Sequence, residues 1–183
     1  MKKRFGSILV VTGLLCLIPS LRGQSVYTAS RSASLQAGAG FLYLHNDYFQ
    51  HNTAADQGMS LWVDGNLTPL LGLEAVGHFG VLISPSDYGE NSFFVGPRIG
   101  IRRGRVQPYA KAMIGRGFFV HDQPNHTSTT SYLAYAFGAG VDYRISPSFN
   151  FRVVDADFQT WPNFKPNGLT PYTISTGLMY IIH

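Results

Sequence analysis

Between Ser131 and Ile145 the chain alternates strictly. Leu133, Tyr135, Phe137, Ala139, Val141, Tyr143 and Ile145 form one row; Tyr132, Ala134, Ala136, Gly138, Gly140, Asp142 and Arg144 form the other. A period of two over this length specifies an extended strand with one apolar face and one face of small or charged residues. The pattern recurs. It predicts eight strands, at about residues 34–45, 58–67, 70–82, 92–103, 105–118, 131–145, 148–158 and 171–182. Each matches or slightly exceeds the ~9–11 residues that a tilted strand needs to cross a bilayer.

The connections alternate too. Thr68-Pro69, Arg103-Gly104-Arg105 and Ser146-Pro147 are tight turns built from turn residues. The connections at about 46–57, 83–91, 119–130 and 159–170 are long and polar, and are expected to be loops. Short turns at one end and long loops at the other describe an up-and-down barrel with two unequal ends. The seventh strand breaks the rule: Phe149, Phe151 and Val153 share a parity with Asp155 and Asp157. A β-bulge, or an apolar face that ends above the membrane, would each account for this.

Parity does not say which face points inward. A soluble lipocalin-type barrel puts its apolar face inside. Three features favour the reverse. The polar rows carry Gly96, Gly100, Gly138 and Gly140, as suits the narrow interior of an eight-stranded barrel. Charged residues are only 13% of the chain, whereas a water-facing exterior needs more. Tyrosines recur eight residues apart on the apolar rows, at Tyr135 and Tyr143 and again at Tyr172 and Tyr180. At ~3.3 Å per residue on a tilted strand that spacing spans ~20 Å, close to the height of a lipid-facing band between two aromatic girdles. The prediction is an all-β, eight-stranded antiparallel up-and-down transmembrane β-barrel with its apolar face in lipid.

The stretches "AGAGFLYL", "FGAGVDYRISPSFNFRVVDADF" and "YTISTGLMYII" resemble the small OmpA-like outer-membrane β-barrels, over roughly residues 34–183. The resemblance implies a place in the cell outer membrane and a role in envelope integrity or surface interaction, and the even strand count with its short turns puts both termini on the periplasmic side. It also implies outer-membrane lipid and lipopolysaccharide, the barrel-assembly machinery and a surface partner at the long loops as partners. Those barrels usually end in an aromatic residue; here the last residue is His183, with Tyr180 nearby.

Ahead of the barrel, Lys2, Lys3 and Arg4 precede an apolar run over Ser7–Ile18 and the small residues Ser20 and Gly23. That is the layout of a cleaved signal peptide over about residues 1–25, with 26–33 as a flexible lead-in. The single cysteine, Cys16, lies within it, so the mature chain is expected to have no thiol chemistry.

The candidate chemistry is a charged lumen. Asp64, Glu74, Arg98, Arg102, Lys111, Asp142, Arg144 and Arg152 fall on inward rows with His78. Buried charges must pair, so a packed polar core that stiffens the wall is expected, with Arg98 reaching Glu74 on the next strand. A narrow conducting path is the alternative; open porins have about 16–18 strands. His121, Asp122, His126, Thr127 and Ser128 lie in one long connection. They raise a second alternative, a lipid A hydrolase using His126 and Ser128. Catalysis needs fixed geometry, and a Ser/Thr-rich loop does not supply it. No metal ligand set, cofactor motif or catalytic residue is assigned. The net charge of +4 carries no basic stripe for nucleic acid, Arg102, Arg103 and Arg105 reading as a solvated turn.

Overall fold

The computed structural model describes residues 34–48, 52–80, 88–123, 126–165 and 167–182. The predicted signal peptide and lead-in, and His183, lie outside them. The described residues form eight strands: β1 (Ser34–Tyr48), β2 (Asn52–Asn66), β3 (Leu71–Phe79), β4 (Tyr88–Gly100), β5 (Val106–Gln123), β6 (His126–Arg144), β7 (Phe149–Thr160) and β8 (Tyr172–Ile182). They close in sequence order, each strand antiparallel to the next and β8 antiparallel to β1. Closure removes both sheet edges, so every strand has a hydrogen-bonded neighbour on each side.

Side-chain parity places the rows. Phe137 is 66% exposed and Phe158 68%, while Trp62, Glu74 and Arg152 are buried. The apolar rows therefore face outward and the small and charged rows face the lumen. The three short turns lie at one end. At β2–β3, Thr68 Oγ1 accepts from the amides of Leu70 (3.3 Å) and Leu71 (2.8 Å). At β6–β7, Ser146 Oγ accepts from the amides of Ser148 (3.3 Å) and Phe149 (3.1 Å). At β4–β5, Arg103 and Val106 exchange backbone bonds of 2.8 and 3.1 Å around Gly104 and Arg105. Gly104 has φ 62°, a conformation that only a residue without a Cβ adopts readily.

The other end departs from expectation. The connections at 46–57 and 119–130 are not loops but continuations of the hairpins. β1 pairs with β2 out to Tyr48 and Asn52, and β5 with β6 out to Gln123 and His126. These segments carry no sustained apolar alternation in the sequence, and backbone pairing extends them. The connection after β7 folds inward. Trp161 and Leu169 form an isolated bridge, and Gly168, with φ 81°, turns the chain back toward β8.

The parity conflict of β7 is resolved by a bulge. The β7–β8 register shifts between Arg152 and Asp155. Val153 and Val154 both face outward. The extra residue moves Asp155 and Asp157 onto the inward row with Arg152.

Candidate functional site in the lumen

Six strands deliver one cluster of charge to the middle of the barrel. β2 contributes Asp64, β3 Glu74, β4 Arg98, β5 Lys111, β6 Asp142 and β7 Arg152, Asp155 and Asp157; all eight are buried. Three cations thus face five carboxylates. Lys111 Nζ lies 2.7 Å from Glu74 Oε1, 2.8 Å from Asp155 Oδ2 and 3.0 Å from Asp157 Oδ2. Arg152 donates through Nη2 to Asp64 (2.8 Å) and Glu74 (3.2 Å) and through Nε to Asp142 (3.1 Å). Arg98 forms close ion pairs with Asp64 and Asp142, while its Nε stands 3.9 Å from Glu74. The expected Arg98–Glu74 pairing is therefore secondary: the guanidinium reaches across the lumen to two other strands, and Glu74 is held by Lys111 and Arg152.

Aromatic rings frame this cluster. The Arg98 guanidinium lies 3.7 Å over the Tyr109 ring, and that of Arg152 lies 4.8 Å from Trp62. Tyr109 donates its hydroxyl proton to Asp155 at 2.8 Å. Toward the short turns, amides extend the network: Gln36 donates to Asp64 at 3.1 Å and Asn150 to Gln36 at 2.8 Å. The glycines of the inward row of β6 make room for it. A Cβ at Gly138 would overlap Asp157 and Lys111, and one at Gly140 would overlap the Tyr109 ring.

Two expected members of the cluster are elsewhere. Arg102 is exposed, since β4 ends at Gly100, and its Nη2 donates to Gln107 at 3.2 Å near the barrel mouth. Arg144 is half-buried at the end of β6 and donates to the carbonyls of Ser146 (3.4 Å) and Pro147 (3.3 Å), closing its own turn. Both lie where the strands run out and water replaces the need for a carboxylate partner. Sequence reasoning missed Asp155, Asp157 and Tyr109, the first two because the bulge hid their parity.

Above the charged tier an apolar cluster fills part of the interior, beside buried polar and acidic residues that include Asp56, Glu90 and Ser92. Val76, Phe94, Met113, Ala134 and Ala136 pack with Trp161, Phe164 and Leu169 of the inward-folded connection. Tyr132 stacks on Trp161 with centroids 6.2 Å apart, and Phe119 meets Phe164 edge-on at 5.4 Å. A Cβ at Gly117 would collide with the Trp161 indole. His78 is buried at the junction of the tiers. Its Nε2 lies 3.6 Å from Asp157, and its Nδ1 lies 3.3 Å from Ser92 Oγ and 3.4 Å from Gln159 Nε2. Gln159 in turn accepts from the Trp161 indole at 3.1 Å.

The tyrosines named from the sequence lie on the outward rows. Tyr143 and Tyr180 lie toward the short turns, Tyr180 against Phe149 at 5.4 Å. Tyr135 and Tyr172 lie toward the long hairpins, Tyr172 against Phe158 at 6.2 Å and His45 at 4.8 Å. The hydrolase candidates His121, Asp122, His126, Thr127 and Ser128 sit on paired backbone, His121 opposite Ser128; their side chains lie outside the described residues. Among the described residues no group of metal-ligating side chains is arranged to hold an ion.

A closed barrel with an apolar exterior and a charged, filled interior defines a transmembrane barrel of the small class. The comparisons give its family. Residues 14–181 match the outer membrane protein beta-barrel domain, and the chain belongs to that family. It is similar to Neisserial surface protein A (11% identity, TM-score 0.67, covering 80% of this chain and 96% of that one). It is also similar to OprG from Pseudomonas aeruginosa (15%, TM-score 0.62, 83% and 97%) and to Ail, the attachment invasion locus protein of Yersinia pestis (17%, TM-score 0.60, 82% and 99%). At these identities the likeness is one of fold. No curated protein matches the chain.

Proposed function

We propose that this protein is a non-enzymatic outer-membrane barrel that serves the envelope structurally and presents its long hairpins at the cell surface. The observation that carries this reading is the fully buried Arg152, which faces Asp64, Glu74, Asp142 and Asp155 across the barrel axis. A cation fixed by carboxylates of four strands braces the wall and leaves the middle of the lumen filled by ion pairs. Such a lumen favours mechanical and scaffolding work over diffusion of solutes. The N-terminal signal, export and insertion by the barrel-assembly machinery belong to the same reading, as does contact with lipopolysaccharide. The surface partner would meet the β1–β2 and β5–β6 hairpins, which stand beyond the aromatic rows.

The mature chain, refolded in detergent, should migrate faster unheated than boiled. It should produce no steady conductance step in planar bilayers, and should release no acyl chain from lipopolysaccharide. Acyl release that disappears in His126→Ala would replace this reading with a hydrolase. A chain that stays soluble and monomeric without detergent would return the lipocalin-type barrel.

A further inference from the structure

One charge stands on the lipid-facing rows. Among residues whose side chains are described, every Asp, Glu, Lys and Arg of the eight strands points into the lumen or lies at a strand end, except Arg116 on β5. It is exposed, and its register neighbours are Phe93 on β4 and Leu133 on β6. Ile114, the preceding outward residue of β5, is paired with Tyr135. Arg116 therefore sits one outward step beyond the Tyr135 aromatic row, on the side of the long hairpins. A cation is costly in the hydrocarbon and tolerated at the interface, and this position is the interface.

Arg116 also borders a groove. Phe93, Val95, Ile114, Phe118 and Leu133 line with it a depression of about 560 Å³ on the outer wall. Phe93 and Phe118 meet edge-on at 5.9 Å, fixing one side of it. Among the described residues the guanidinium bonds to the neutral Ser131 hydroxyl at 3.2 Å, and no carboxylate among them pairs with its charge. An apolar groove with a guanidinium on its wall at the level of the interface matches an amphiphile with one acyl chain and a phosphate.

We propose that Arg116 and this groove bind a phosphorylated lipid of the leaflet on the long-hairpin side. One acyl chain lies between Phe93, Ile114 and Leu133, and a phosphate lies on the guanidinium through charge-assisted hydrogen bonds. The proposal rests on the outer-membrane reading above and names one lipid contact within it.

The test uses the refolded mature barrel in phosphatidylcholine nanodiscs doped with diphosphoryl lipid A, with retained lipid counted by native mass spectrometry. The wild-type barrel should retain diphosphoryl lipid A in preference to phosphatidylcholine. Arg116→Gln should weaken retention about tenfold, the value of one lost charge-assisted contact, and Arg116→Lys less. Ser131→Asp, which supplies the guanidinium with a carboxylate, should weaken it as well. Leu133→Trp, which fills the groove and stays apolar, should weaken retention with Arg116 intact. Each variant is checked for heat-modifiable migration. Equal retention of phosphatidylcholine, or wild-type retention by folded Arg116→Gln, would overturn the proposal and leave the barrel reading standing. A wild-type chain without heat-modifiable migration would remove both.

Discussion

The two tiers of the lumen are built on opposite principles. In the charged tier, nearly every side chain is held by partners on strands distant in sequence: Arg152 reaches Asp64 across 88 residues and Glu74 across 78. In the apolar tier, Trp161, Phe164 and Leu169 come from one connection and pack by shape against the wall. The first tier therefore couples most of the barrel, since none of β2 to β7 can leave without stranding a charge. The second can lift away as a unit, because its loss exposes apolar surface and strands no ion. The difference predicts that damage to the charged tier is global and damage to the apolar tier is local.

The largest effect should come from Arg152→Met. It leaves buried carboxylates without their shared cation, at about 3–5 kcal/mol, read as a shift of the urea midpoint of the barrel in micelles. A double-mutant cycle sharpens this: Arg98→Met with Asp64→Asn should couple more strongly than Arg98→Met with Glu74→Gln. Equal coupling would mean that the interior charge is smeared rather than paired as described.

The lipid face of β6 supplies an external standard. Ala139 lies four residues from both Tyr135 and Tyr143, midway between the aromatic rows. Ala139→Arg should cost about 2–4 kcal/mol in the same titration, whereas Ala139→Leu should be nearly neutral. One residue away, Gly138→Ala points the other way. Its Cβ would press on Lys111 and Asp157, and the overpacking should cost about 1–3 kcal/mol. If Gly138→Leu were tolerated while Ala139→Arg was not, the charged tier would be looser than its geometry implies.

These contrasts within one strand indicate what was legible in the sequence. A membrane demands an apolar residue at alternate positions, so the strands, their faces and the closed topology are written as period two. Glu74, Lys111 and Arg152 could be placed inside on parity alone. Which charge meets which could not, because a long guanidinium spans the lumen: adjacency favoured Glu74 for Arg98, and reach delivered Asp64 and Asp142. The parity conflict of β7 pointed to a bulge as one of two readings but did not place it, because two valines in succession fit either row. The strand extensions beyond 118 and before 131 lie where the sequence sustains no apolar period. The inward fold of 161–169 depends on cavity shape at the top of the barrel, which no local pattern encodes.

The smallest global effect should come from the largest side chain. Trp161 is fully buried, and in an ordinary core Trp→Ala costs about 3–5 kcal/mol. Here the residue belongs to a connection rather than a strand, anchored by the Trp161–Leu169 bridge, one indole bond to Gln159 and contacts with Phe164 and Tyr132. When the indole is removed, the connection can swing outward rather than leave a cavity beneath it. Trp161→Ala should therefore move the unfolding midpoint of the barrel by less than about 1 kcal/mol. The same change should make the chain between Pro162 and Gly168 a protease site in the folded protein, while Arg152→Met should not. Gly117→Ala, which intrudes on the indole from the wall, should open the connection in the same way. A drop in barrel stability as large as that of Arg152→Met would show that the apolar tier is part of the cooperative core, and the division between the tiers would fail.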